Sequence, residues 1–171
     1  MTVKLITTGL AKIEVGDPLP DGSMGTTLSQ YGYTDKDSCE LIMDDPTETP
    51  FEAEEVDDPI EITYKGGKKQ VKFNIADPDE AALALFLGGT AVSTTGAETY
   101  SAASTFTVIE KSLKITPTKG LIFSAPRCNI IAKLTGKYAK SDKLKLEITA
   151  TILTPKKDNE PPFSTTRVSA T

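Results

Sequence analysis

The run from Lys143 to Pro155, KLKLEITATILTP, leaves few folds open. Leu144, Leu146, Ile148, Ala150 and Ile152 fall on one face, and Lys143, Lys145, Glu147, Thr149 and Thr151 on the other. A period of two sustained that long describes a half-buried antiparallel strand, with one face on a core and one in water. Such a strand needs neighbours of the same kind, and the remaining sequence offers them.

A strand is expected near residues 3–15 from the alternation at Leu10, Ile13 and Val15, with Gly9 as a bulge. DPLPDGSMG is a loop, and CELIMD is a short β run ending at Asp44. IEITYKGGKKQVKFNIA reads as a hairpin. Ile60, Ile62 and Tyr64 alternate on the way out, Lys65-Gly66-Gly67-Lys68 turns, and Val71, Phe73 and Ile75 alternate on the return. A phosphate loop at Gly66-Gly67-Lys68-Lys69 is excluded because no Ser or Thr follows the lysine and no helix opens there. STTGAETYSAAS is a small-residue loop. TFTVIEKSLKI is a strand from Phe106, with a twist near Glu110–Ser112, and TPTKG is a turn. GLIFSAP and RCNIIAKLTGKY follow as two strands separated by Pro126.

Between these strands lies one helix, expected over about residues 78–87. Asp77 is its N-cap, Pro78 its first turn, Glu80 the capping-box partner, and Gly88 or Gly89 its stop. Its seven residues Ala81–Leu87 are all apolar. Leu83, Phe86 and Leu87 form the face that sits on a sheet. Leu85, with Ala81 and Ala84, lies elsewhere on the wheel. That side is covered by a loop such as residues 91–104, left exposed, or covered by a second subunit. The fold class is therefore mainly β, an antiparallel sandwich or barrel with one short flanking helix.

Residues 44–59 hold Asp44, Asp45, Glu48, Glu52, Glu54, Glu55, Asp57 and Asp58 with no cation. A calcium loop of the EF-hand type is excluded by the offsets and the missing central glycine, so a solvated acidic segment, extended in part, is expected. The chain carries a net charge of −5, which argues against nucleic-acid binding through a basic face. It has no histidine, which removes the common nucleophile–base pairs and the usual zinc sites. Cys39 and Cys128 form no spacing motif and are expected as reduced thiols. No apolar run is long enough for a signal-peptide core or a membrane span, so the expectation is synthesis and use in the cytoplasm, or export by a signal the sequence does not display. Neither catalytic residues nor a cofactor or metal site is expected.

The segments GLAKIEVGDP, LSQYGYTDKDSCEL, IEITYKGGKKQVKFNIA, DPDEAALALFLGG, KGLIFSAPRCNIIAKL and KLKLEITATILTP follow one another in an order that resembles a known family. It is that of the major tail tube proteins of long-tailed bacteriophages and related prophage elements. The resemblance spans about residues 5–155, giving a tail-tube-like β domain over 1–155 and a polar C-terminal arm or disordered tail over 156–171. It implies a structural virion protein, not an enzyme, whose copies form hexameric rings that stack into a tube. DNA passes through the lumen without specific binding. It also implies assembly in the bacterial host cytoplasm, no membrane, and tail partners such as the tape measure and tail terminator proteins. The acidic carboxylates of 44–59 become the candidate inter-ring loop, and Ala81, Ala84 and Leu85 the candidate subunit contact. Two alternatives stand beside it: the tube protein of a contractile injection or secretion machine, and a monomeric β-sandwich binding module. The latter calls for clustered exposed aromatics, whereas the tyrosines and phenylalanines read mostly as core.

Overall fold

A computed structural model describes residues 6–167. Within them the chain forms, in order, β1 (Thr8–Gly16), β2 (Tyr33–Thr34), β3 (Glu40–Met43), β4 (Thr47–Ala53), β5 (Val56–Lys65) and β6 (Lys69–Ala76). Helix α1 (Glu80–Leu87) follows, then β7 (Thr90–Thr94), β8 (Ala97–Ser101), β9 (Ile109–Lys119), β10 (Leu121–Thr135), β11 (Lys145–Ile152) and β12 (Ser164–Arg167). The first residues of the strand expected over 3–15 lie outside the described residues.

The main sheet is antiparallel and runs β1-β9-β10-β11-β6, with β2 and β3 on the far side of β6 and β12 beside β10. A bridge between Val15 and Ser29 brings β1 back toward the chain ahead of β2, so the sheet is nearly closed into a barrel. The alternation of β11 appears as expected, with Leu146, Ile148 and Ala150 buried. Its neighbour β6 buries Val71, Phe73 and Ile75 on the same interior. Ile13, Val15, Leu113, Phe123, Ala125, Cys128 and Ile130 complete the core from β1, β9 and β10.

The expected hairpin across Gly66-Gly67 does not exist. β6 pairs with β11 and β3, and β5 pairs with β4. Both runs alternate, but only β6 reaches the barrel interior, while every residue of β5 is exposed. Gly66-Gly67 is a crossing point. A Cβ on Gly67 would stand 2.0 Å from the Asp44 carbonyl, and the Asp44 N–H donates to the Lys68 carbonyl at 2.9 Å. The pairing of Glu40 with Lys72 through Met43 with Lys69 resumes as Thr47 with Lys65 through Phe51 with Glu61 in one unbroken register. The acidic segment is therefore a strand-built ribbon that leaves the barrel.

Other differences have local causes. Leu121–Thr135 of GLIFSAP and RCNIIAKLTGKY form the single strand β10, because Pro126 sits in a bulge between Ala125 and Cys128 where it interrupts no ladder bond. TPTKG is not a turn: β9 continues to Lys119, and Gly120 alone reverses the chain at φ +100°. The strand expected from Phe106 begins at Ile109, leaving Phe106 and Val108 exposed. The irregularity expected at Gly9 lies between Leu10 and Lys12, beside Gly9 at φ +69°.

Helix α1 starts two residues later than its sequence signals suggest. Asp77 has φ +50°, unsuited to a cap, whereas Asp79 is extended and accepts from the Ala82 N–H at 2.7 Å. Gly88 and Gly89, both at positive φ, stop it. The segment expected as a loop over 91–104 contains the β7–β8 hairpin, which packs on α1, with Tyr100 Oη donating to the Gly88 carbonyl at 2.7 Å. The segment after Pro155 is not a free tail in its described part. β12 pairs with β10, and Phe163 stacks on Phe123 at 5.3 Å. Residues 168–171 lie outside the described residues.

Candidate assembly surfaces

In an antiparallel ladder directly paired residues share a face. On the β4–β5 ribbon Ile62 opposes Pro50 and Tyr64 opposes Glu48, with Ile60 two residues along on the same side. The other face carries Thr49 with Thr63, Thr47 with Lys65, and Phe51 with Glu61. Ile60 (67% exposed), Ile62 (42%) and Tyr64 (63%) thus form an apolar stripe in water. The carboxylates Asp44, Asp45, Glu48, Glu52, Glu54, Glu55, Asp57 and Asp58 flank that stripe and are all exposed. The sequence pattern makes the stripe the outgoing arm of a hairpin with Val71, Phe73 and Ile75. The signal against that lay in Pro46, Pro50 and Pro59 and in the carboxylates interleaved with the stripe.

The structure places the three candidate helix residues differently from one another. Ala81 is exposed, while Ala84 and Leu85 are half-buried, and Leu85 packs against the chain's own core. The fully buried helix residues are Ala82 and Phe86. Phe86 meets Tyr31 and Phe73 edge-on, with ring centres 6.1 and 6.4 Å apart. At the start of the helix Glu80 lies against Glu98 of β8, and their hydrogen bond and repulsion raise the Glu98 pKa.

Five of the eleven aromatic residues, Tyr33, Phe51, Tyr64, Phe106 and Tyr138, are exposed, against the expectation of mostly core positions. Tyr138, expected at the end of the strand RCNIIAKLTGKY, lies instead in the β10–β11 connection, because β10 ends at Thr135. Between Lys133 and Lys145 that region carries five lysines. Lys133 pairs with Glu147 at 2.7 Å, and Lys143 and Lys145 clasp Asp35 at 2.7 and 2.9 Å. Hydrogen bonds from Lys143 and Lys145 hold the Asp35 carboxyl down at about 2. Lys137 and Lys140 make no ion pair among the described residues and are exposed.

Among the described residues β3 has no strand on its outer side and β1 meets only Ser29 there, through Val15, and an open groove of about 820 Å³ lies between these two edges, lined by Leu10, Tyr33, Leu41, Ile115 and Phe123 among others. Cys39 and Cys128 are both free thiols, and burial pushes Cys128 up to about 12. Among the described residues no group of three or more Cys, Asp or Glu is placed to hold a metal ion, and no helix is long and apolar enough to cross a membrane. Compared with known families, residues 11–165 match the model described as phage tail tube protein. No curated protein matches the chain.

Proposed function

The chain belongs to the phage tail tube protein family, and on that premise we propose that it is a subunit that assembles with copies of itself into the tube. Such families are structural and generally non-enzymatic, and membership implies a place in the virion tail beside other tail proteins. Copies close laterally into rings, six-membered by the resemblance, and the rings stack into a channel that conducts DNA. The tape measure and tail terminator are the expected tail partners, and the host cytoplasm is the place of assembly.

The β4–β5 ribbon carries this reading. A two-stranded ribbon standing in water is marginal on its own, and this one holds Ile60, Ile62 and Tyr64 uncovered. Contact with the next ring would bury that stripe. The edges at β1 and β3 are the second support, because a sheet that joins its neighbours in a closed ring leaves no edge exposed. Of the helix residues, Ala81 and part of Ala84 face outward and are assigned to the lateral contact. Leu85 contributes less, since its own core already holds much of it.

Negative-stain microscopy with sedimentation, at high protein concentration, tests the assembly. Rings or tubes are expected, and a strict monomer under all conditions overturns the reading. Ala81→Arg should block lateral closure while thermal unfolding stays where it is. Normal rings from that variant would remove α1 from the contact.

A further inference from the structure

The sheet register places two unlike surfaces at opposite ends of the molecule. At one end Met43 pairs with Lys69 and the ribbon departs; at the other Ala76 pairs with Lys145 and the β10–β11 connection turns. The eight residues of β6 separate them, roughly 23 Å at 3.3 Å per residue.

Their charges differ in sign. Residues 44–61 contain nine of the chain's 24 carboxylates and none of its 19 cations. The remaining 15 carboxylates and 19 cations leave the rest of the chain with four positive charges in excess. At the far end Lys137 and Lys140 stand exposed, with Asp142 the one carboxylate in their turn. Two apolar side chains near them in the chain are exposed too, Tyr138 at 95% and Leu134 at 44%. One end thus offers carboxylates beside an apolar stripe, and the other offers lysines beside apolar side chains.

Resting on the assembly reading above, we infer that the ribbon of one copy docks on the β10–β11 turn of the next copy, carboxylates on Lys137 and Lys140 and the Ile60–Ile62–Tyr64 stripe on Tyr138 and Leu134. The two surfaces differ, so the contact is heterologous and head-to-tail. Repeated without closure, it extends indefinitely. Complementary exposed charges steer such a contact and fix its polarity, and salt weakens it because ions screen beyond about 8 Å at physiological strength.

Charge reversal on the full chain tests this. Lys137→Glu with Lys140→Glu should raise the concentration needed for stacking by about tenfold or more, since like charges then face each other. Single rings should persist. Adding Glu54→Lys and Glu55→Lys to the same chain should restore stacking, because the attraction is then reversed in sense and retained. Wild-type chains that form tubes, with the lysine variant stacking equally well, overturn the docking and leave the assembly reading intact. A wild type that never assembles overturns both. If the reversed variants fail to fold, disulfide trapping with Glu55→Cys and Tyr138→Cys in one chain decides instead. A ladder of covalent multimers is expected from tubes, and tubes that yield no cross-link overturn the contact.

Discussion

Among the described residues Ser112 is the one polar side chain fully buried in the core. Its hydroxyl accepts from the Gly25 N–H at 3.0 Å and donates to the Pro126 carbonyl at 2.7 Å. It therefore ties the 17–25 loop to the bulge that lets Pro126 remain inside β10. Gly25 is needed beside it, because a Cβ there would stand 2.1 Å from the Asp17 carbonyl. Ser112→Ala leaves a buried donor and a buried acceptor unpaired, at roughly 1–3 kcal/mol for such a loss. A urea melt should show the midpoint falling by about 1 M at a slope of 1–3 kcal/mol per molar. An unchanged midpoint would mean that water replaces the hydroxyl. The sequence hinted at this place only as a break in the alternation near Glu110–Ser112. A serine among apolar residues does not say which distant backbone groups it will serve, since its partners lie 87 and 14 residues away.

At the scale of elements, what was legible followed from local pattern. The strands β11 and β6 could be read because their period of two coincides with burial, and the helix because its acids and glycines bracket an apolar run. Pairing was not legible. Ile60, Ile62 and Tyr64 alternate as regularly as Val71, Phe73 and Ile75, and alternation says which residues share a face without saying what lies against it. Two glycines between such runs suggest a turn, yet here Gly67 serves the close approach to Asp44. For the same reason the acidic carboxylates are legible as a solvated cluster, extended in part, but not as a ribbon in register with β3 and β6. That shared register makes the ribbon separable from the barrel. Replacing residues 47–65 by Asn-Gly would join Pro46 to Gly66 through a tight turn and leave the β3–β6 pairing whole. The shortened chain should keep its far-ultraviolet spectrum and melt within about 5 °C of the parent, because exposed residues contribute little to stability. A large fall in Tm would show that the ribbon folds back onto its own barrel.

At the scale of the molecule, the same excision turns the polarity of stacking into a measurable length. A chain without the ribbon still presents Lys137, Tyr138 and Lys140 at one end but no acidic arm at the other. It also changes sign overall, since it loses most of the nine carboxylates that make the parent acidic. Such a subunit can receive a neighbour's ribbon and cannot offer one, so rings that contain it end the stack in one direction. Mixed with the parent before assembly, it should shorten tubes in proportion to its share, while the number of rings per unit mass stays constant. Length distributions from micrographs read this directly. Were the contact between like surfaces, removing the ribbon would stop both partners equally, and the shortened chain would stay out of the tubes without trimming them. Shorter tubes with shortened chains at their ends are the result that a head-to-tail contact requires; tubes of unchanged length would rule that contact out.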